Sequence, residues 1–118
     1  MAFVAAAAVG APLRYLVGGF VAERVEGDFP WGTLLINASG SLVLGVISGL
    51  ALYRAFPTAP RVILGTGFCG AYTTFSTFSF ETVSLVEKGE LRKAFGNALG
   101  SVVTCAAAAA LGLALAAL

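Results

Sequence analysis

The amino-acid sequence predicts an all-α membrane protein with four transmembrane helices, and three observations lead to that prediction. Hydrophobic residues make up 58% of the 118 residues and charged residues only 11%, whereas a soluble domain typically carries about a quarter charged residues. The mean hydropathy is +0.93, which implies more apolar surface than so short a chain can hide from water. The few charges lie in short clusters, and long uncharged stretches separate them.

The uncharged stretches delimit the spans, because an apolar run of about 18 residues or more can cross the hydrocarbon layer as a helix. We predict a single four-helix transmembrane domain over residues 1–118, with spans at 2–22, 31–53, 62–80 and 94–118. The first span contains Pro12 and Arg14, and the other three contain no charge. No Lys or Arg precedes the first apolar stretch, so we expect a membrane helix there rather than a cleaved signal peptide.

Charge and residue content disfavour several classes of function. Lys and Arg number 7 and Asp and Glu number 6, a net charge of +1, which is too balanced for a nucleic-acid-binding protein. The chain has no His, and no nucleophile–base pair, phosphate-binding loop or metal-ligand cluster is visible, so we do not expect an enzyme. No acidic residue lies within a predicted span, which disfavours a proton-coupled cation exporter, because such a transporter needs a carboxylate within the membrane.

The distribution of basic residues permits insertion in both directions. Four spans place both ends of the chain on one side, together with Arg54 and Arg61. The other side has four basic residues: Arg24, Lys88, Arg92 and Lys93. This bias is weak by the positive-inside rule. Two copies inserted in opposite directions can pair, and four helices alone enclose little space for a pathway, so the sequence permits an antiparallel dual-topology homodimer.

Polar and small residues share one face of the second span. At spacings of three and four they are Asn37, Ser41, Gly45, Ser48 and Gly49. Gly45 and Gly49 form a GxxxG pair, which lets helices approach closely in lipid. A side-chain amide in the middle of a span is costly unless it is partnered, so Asn37 requires either a partner helix or an aqueous path. Both alternatives stay open.

The fourth span has a ridge of small residues, which we interpret as a helix-packing surface. The ridge consists of Gly96, Gly100, Thr104, Ala108 and Gly112, with Asn97 and Ser101 alongside. Cys69 and Cys105 fall inside predicted spans, and we interpret them as small apolar side chains rather than a disulfide.

The third span differs from the others because it is a poor helix by propensity. Gly65, Gly67 and Gly70 are followed by five hydroxyl residues, namely Thr73, Thr74, Ser76, Thr77 and Ser79. Phe75 and Phe78 share a face among these hydroxyls. Irregular backbone survives at membrane depth only where protein or water satisfies its polar groups, and freed carbonyls there bind hard cations such as Na⁺. We predict a functional break in mid-membrane; the alternative is lipid-facing Phe with hydroxyls bonded back to the helix.

The polar groups available in the spans suit a small anion. Amide N–H and hydroxyl O–H groups donate hydrogen bonds to anions, and a Phe ring has a positive edge. A lining with donors and no fixed charge can hold an anion without trapping it, as conduction requires.

Three blocks of sequence resemble one known family along the whole chain. They are GAPLRY (residues 10–15), PWGTLLINASGSLVLG (30–45) and GFCGAYTTFSTFSFE (67–81), and they resemble the Fluc (CrcB-type) fluoride channels. The resemblance implies a passive fluoride-selective channel in the bacterial plasma (inner) membrane. Such a channel lets out fluoride that entered the cell as hydrogen fluoride, and it thereby confers fluoride resistance. It also implies an antiparallel homodimer with two pores.

The resemblance implies roles for particular residues. The backbone carbonyls of Gly70 and Thr73 would hold a structural Na⁺ at the dimer centre, and Arg14 would be a vestibule charge or a structural anchor. The fluoride pore would be lined by two stacked phenylalanines, an amide and hydroxyls: Phe75, Phe78, Asn37, Ser76, Thr77 and, next to them, Thr74.

The chain departs from the family pattern at two places. Ala71 follows Gly70 where many members have a second glycine, and it fits a tight break only with negative φ. Some members have a Tyr in the last helix as part of the polar track. Here no Tyr lies in that helix, which leaves Ser101 and Thr104 as weak candidates.

Two alternatives from other classes are kept for testing. A small structural or holin-like protein, whose helices merely oligomerise, would leak dye without ion specificity. A small multidrug-type exporter would take up a lipophilic cation in exchange for protons.

Overall fold

The computed structural model describes all of residues 1–118, and the chain is entirely helical apart from short connections. In chain order the elements are α1 (Ala2–Arg24), α2 (Trp31–Tyr53), α3 (Thr58–Arg61), a π-helical stretch (Val62–Cys69), α4 (Gly70–Tyr72), α5 (Phe75–Glu87) and α6 (Leu91–Ala117). Three of these helices, α1, α2 and α6, are long and apolar enough to cross a membrane. An all-helical chain with three such helices agrees with the predicted fold class.

The long helices end where charged and turn-forming residues begin. Helix α1 ends at Arg24, before a loop in which Gly27 has a φ of 105°, a conformation that glycine adopts without strain. Helix α2 follows Pro30 and ends at Tyr53, immediately before Arg54. Gly89, with a φ of 78°, turns the chain between α5 and α6. Charge clusters and glycines therefore set the limits of the helices.

The predicted third span (residues 62–80), called the third segment below, is divided among shorter elements. Helix α3, the π-helical stretch and α4 run on from one another up to Tyr72. Thr73 (ψ 163°) and Thr74 (φ −148°, ψ 122°) are then extended. These two residues are the interruption of the third segment, and α5 begins after them at Phe75. The glycine cluster itself is helical, and the chain leaves the helical conformation only after it. Ala71 lies within α4, and its φ is not positive.

Helices α2 and α6 pack closely through small residues. A Cβ atom added to Gly45 would overlap the carbonyl oxygen of Ala109, and one added to Gly112 would overlap the carbonyl oxygen of Leu42. A Cβ atom added to Gly49 would overlap the side chain of Ala116, so the predicted packing role of the GxxxG pair is confirmed for both glycines, and their partner helix is α6. By contrast, a Cβ atom on Gly100 would meet nothing within 4 Å. Only part of the small-residue ridge of α6 packs against the rest of the chain.

Helix α1 lies against the π-helical stretch and α4. A Cβ atom on Gly10 would be 2.6 Å from the carbonyl oxygen of Phe68 and 3.2 Å from the backbone nitrogen of Tyr72. Gly10 is buried, whereas many large apolar side chains on the outside of the chain are exposed. This distribution suits a protein surrounded by lipid, because lipid does not require apolar side chains to be buried.

Candidate functional site

An open groove of about 380 Å³ lies where α2, α6 and the third segment meet. Its lining consists of Asn37, Gly40, Ser41, Leu44, Gly65, Cys69, Gly70, Thr73, Thr74, Phe75, Phe78, Ser101, Val102 and Cys105. Seven of the eleven candidate site residues therefore meet here: Asn37, Gly70, Thr73, Thr74, Phe75, Phe78 and Ser101. The other four do not line the groove: Arg14, Ser76, Thr77 and Thr104. No charged side chain is part of the lining.

Asn37 joins α2 to the interruption of the third segment. Its Nδ2 donates a hydrogen bond to the carbonyl oxygen of Thr74 (2.9 Å), and its Oδ1 accepts one from the backbone nitrogen of Thr74 (2.8 Å). The amide thus takes both backbone groups of an extended residue, as a neighbouring strand would. Asn37 therefore has a partner within the protein and also lines the groove. One of its two amide hydrogens is not used by Thr74.

Thr74 caps the first turn of α5. Its Oγ1 accepts a hydrogen bond from the backbone nitrogen of Thr77 (3.1 Å), which is the usual role of a threonine at this position. The same hydroxyl donates to Oγ1 of Thr77 (3.1 Å) and lies 3.3 Å from Oγ of Ser76. Ser76 and Thr77 therefore belong to a hydroxyl cluster at the start of α5, and their side chains are exposed beside the groove.

Two aromatic rings border the groove on α5. The ring centroids of Phe75 and Phe78 are 5.9 Å apart, and the ring planes are inclined by 43°. Phe75 is 80% exposed, whereas Phe78 is half-buried. An aromatic ring this exposed, at the edge of a groove, presents both its edge and its face to whatever covers that groove.

The backbone oxygens at the interruption are suited to bind a hard cation, which oxygen ligands favour. In a continuous helix the carbonyl of Gly70 would accept from the backbone nitrogen of Thr74, but that nitrogen donates to Asn37 instead. The carbonyl oxygen of Thr73 accepts a hydrogen bond from Nη1 of Arg14 (3.1 Å) and keeps one lone pair. The Gly70 and Thr73 carbonyls thus fit as donors, although two oxygens are too few to enclose a cation.

Arg14 connects α1 to the carbonyl oxygen of Thr73. Its guanidinium lies at the end of α4, where the helix has unpaired carbonyls and the negative end of its dipole, so a cationic donor is favourable there. The contact spans 59 positions of sequence, and α1 is already held against α4 at Gly10. Arg14 therefore satisfies a carbonyl that the change of conformation at Thr73 leaves without a helical partner.

A buried chain of hydrogen bonds links Ser101 to α5. Ser101 Oγ donates to Oδ1 of Asn97 (3.2 Å), Asn97 Nδ2 donates to Oγ1 of Thr82 (2.8 Å), and Thr82 donates to the carbonyl oxygen of Phe78 (2.8 Å). Asn97 is only 1% exposed. In the sequence it was noted only as a neighbour of the small-residue ridge; the available signal was an amide four positions before Ser101, on the same helical face.

A second cavity, also of about 380 Å³, is lined by the end of α1, the loop after it, the start of α2 and Glu81 of α5. Thr33 donates a hydrogen bond to Oε1 of Glu81 there, and Asp28 and Trp31 are part of the lining. Glu81 directly follows the predicted third span and is its first charged neighbour on the C-terminal side. Glu81 lies four positions before Leu85, which is buried, so both residues are on the side of α5 that faces the protein.

Membrane-length apolar helices, with an uncharged groove of donors and aromatic rings among them, define a multi-pass membrane protein. The chain belongs to the CrcB family, because the family model described as "CrcB-like protein, Camphor Resistance (CrcB)" matches residues 1–113. The resemblance noted in the sequence is thereby confirmed. In bacteria, a multi-pass membrane protein of this family lies in the plasma membrane.

Curated relatives cover most of the chain. It is 47% identical over 104 residues to the "Fluoride-specific ion channel FluC" of Nitrobacter winogradskyi, covering 87% of this chain and 82% of the relative. It is 48% identical over 118 residues to the "Fluoride-specific ion channel FluC 1" of Frankia casuarinae, covering 96% and 92%. A relative of the same name from Methanocaldococcus jannaschii, "Fluoride-specific ion channel FluC", is 49% identical over 96 residues, covering 81% and 76%.

Proposed function

We propose that this protein is a fluoride-selective passive ion channel that lets fluoride leave the cytoplasm and so reduces its toxicity. The observation that carries the proposal is the groove: it combines an amide, hydroxyls and two aromatic rings and has no charged side chain. The relatives named fluoride-specific ion channels share about half of the residues in the aligned regions. A channel of this kind carries out no covalent chemistry.

The mechanism follows from what these groups offer to a small anion. The second amide hydrogen of Asn37 and the positive edges of Phe75 and Phe78 can replace part of the ion's hydration shell. The N-terminus of α5 adds the positive end of a helix dipole beside them. Because none of these groups carries a full charge, the anion is stabilised enough to enter and still free to leave.

We further propose that two copies pair in an antiparallel arrangement and form two pores. The groove is open on one side, and Phe75 at its edge is 80% exposed, so a second copy has an aromatic surface to cover. The weak Lys and Arg bias of the loops permits the opposite insertions that this pairing needs. A span interrupted at membrane depth is part of this proposal, because a second copy would shield the extended backbone of Thr73 and Thr74 from lipid.

A structural Na⁺ at the centre of that dimer is proposed on the same basis. The carbonyl oxygens of Gly70 and Thr73 would hold it, and the same pair from the second copy would bring the number of oxygens to four. Na⁺ would supply the positive charge that holds these carbonyls together. In a continuous helix the backbone nitrogen of Thr74 would donate to the carbonyl of Gly70. That nitrogen donates to Asn37 instead, which leaves the Gly70 carbonyl free and supports this assignment.

Fluoride resistance in cells tests the proposed function. We expect the chain, expressed in a bacterial strain without its own fluoride export, to restore growth in millimolar fluoride. Leakage of a large dye from liposomes would instead favour the holin-like alternative, and proton-coupled uptake of a lipophilic cation would favour the exporter. Failure of a well-expressed, folded chain to restore growth would contradict the proposal.

A further inference from the structure

We propose that Ser41 is a second hydrogen-bond donor to the anion in the groove, one helical turn from Asn37. This inference rests on the proposed function and assigns a further residue to its pathway. It follows from an account of which hydroxyl protons in the groove are free.

Four hydroxyl side chains line the groove: Ser41, Thr73, Thr74 and Ser101. Each has one proton to donate, and three of them give it to the protein. Thr73 donates to the carbonyl oxygen of Cys69 (2.8 Å), Thr74 to Oγ1 of Thr77 (3.1 Å) and Ser101 to Oδ1 of Asn97 (3.2 Å). These three oxygens offer the groove lone pairs, which repel an anion.

The hydroxyl of Ser41 has no hydrogen-bond partner in the protein. A serine within a helix commonly donates to the carbonyl four residues earlier, but Ser41 makes no such bond, although Ser79 and Thr82 on α5 do. Ser41 is half-buried, and no fully enclosed side-chain oxygen of the chain lacks a partner. The hydroxyl of Ser41 is therefore accessible. Because Ser41 lines the groove, its proton can be donated to an anion there.

Asn37 and Ser41 form a line of donors along α2. They are four positions apart and so lie on the same face, separated by about one turn of helix, roughly 6 Å. Asn37 keeps one amide hydrogen after its two bonds with Thr74. An anion that leaves one donor thus finds the next within a short step, as passage through a pore requires.

Ser41 and Ser101 differ in whether the hydroxyl proton is free, and Ser101 was a weak candidate from the sequence. The proton of Ser101 is held by Asn97, which is 1% exposed and is itself held by Thr82. Turning that proton toward the groove would leave a buried amide oxygen unpaired, at a cost of about 1–3 kcal/mol. Ser101 therefore faces the groove as an acceptor and Ser41 as a donor.

The test compares full-length variants reconstituted in liposomes, with fluoride efflux measured per folded protein. For Ser41→Ala we expect about fivefold to tenfold slower efflux, the effect of one hydrogen bond. Ser41→Thr keeps a hydroxyl, and Ser48→Ala removes one from an exposed position of the same helix outside the groove, so both should remain within about twofold of the unsubstituted protein. Ser41→Cys, nearly the same size with a weak donor, should also be slow, and it replaces Ser41→Ala if that variant does not fold.

Two results would overturn the assignment of Ser41. One is efflux that does not depend on the donor, either unchanged in Ser41→Ala or equal in Ser41→Cys and Ser41→Thr; the other is a loss in Ser48→Ala as large as in Ser41→Ala. The unsubstituted protein distinguishes this failure from a wrong function. If it releases no fluoride, the proposed function fails, whereas normal fluoride release with either of those patterns removes Ser41 alone.

Discussion

Asn37 illustrates how a single residue can hold the fold together and still offer a hydrogen-bond donor to the groove. Its amide pairs with both backbone groups of Thr74 at distances of 2.9 and 2.8 Å and still has one hydrogen left for the groove. Sequence reasoning could identify the residue, because a mid-span amide needs a partner. It could not name that partner, because Thr74 is 37 positions away and approaches only once the third segment is interrupted.

Replacing Asn37 by Ala should affect stability and conduction together. Two hydrogen bonds are lost, worth about 2 kcal/mol in total, so the thermal unfolding midpoint in detergent should fall. Fluoride efflux per folded protein should fall at least tenfold. The control is Ser48→Ala, an exposed position on the same helix outside the groove, which should change neither. Unaltered efflux in Asn37→Ala would remove Asn37 from the pathway.

The two aromatic rings lead to a prediction about ring edges rather than bulk. Phe75→Ile and Phe78→Ile keep most of the side-chain volume but lose the positive edge of the ring. We expect each to reduce fluoride efflux at least tenfold, while size-exclusion chromatography shows the assembly unchanged. The matched control is Phe80→Ile on the same helix, because Phe80 is 75% exposed and lies outside the groove. Normal efflux through both groove variants would refute the role of the rings.

The helices differ in how far their limits could be predicted. Helix α2 has the bounds predicted for the second span, Trp31–Tyr53, because Pro30 precedes its first residue and the charged Arg54 follows its last. For the third segment, the glycines indicate weak helix propensity but not what replaces a regular helix. The structure shows a π-helical stretch over Val62–Cys69 and extended backbone only at Thr73 and Thr74. That position depends on bonds from distant residues, which a local pattern does not contain.

The packing of α2 against α6 gives a prediction for whole elements. A Cβ atom at Gly112 would overlap backbone atoms of α2, which cannot move without moving the helix. Gly112→Ala should therefore destabilise the fold by about 1–3 kcal/mol, as overpacking does. Gly100→Ala on the same helix is the control: its Cβ meets nothing within 4 Å, and alanine favours a helix over glycine by about 1 kcal/mol. Equal unfolding midpoints for the two variants would contradict the observed packing.

At the scale of the whole molecule, the groove is the surface that bears on assembly. The groove is open, its most exposed ring is Phe75, and Gly70 beside it has no neighbour in the chain within 4 Å of an added Cβ. A second copy is the occupant that the proposed function requires there. The sequence supports such pairing only through its weak charge bias, because the surface that a copy would cover is created by folding.

Gly70→Val should separate folding from assembly. The valine has open space within one chain, so helicity by circular dichroism should be retained. In a dimer it would crowd the proposed Na⁺ carbonyls, so light scattering in detergent should show loss of the dimer. Gly19→Val, on α1 and equally open, serves as the control and should leave assembly intact. A normal dimer in Gly70→Val would place the contact between copies elsewhere.

Halide efflux from liposomes that contain the purified protein tests the central claim most directly. Vesicles are loaded with equal fluoride and chloride, a potassium ionophore carries the counter-charge, and ion-selective electrodes follow both anions. A groove with donors and no fixed charge predicts rapid fluoride release with chloride retained. Equal release of both halides would contradict the selectivity, and no fluoride release from folded protein would contradict the channel itself.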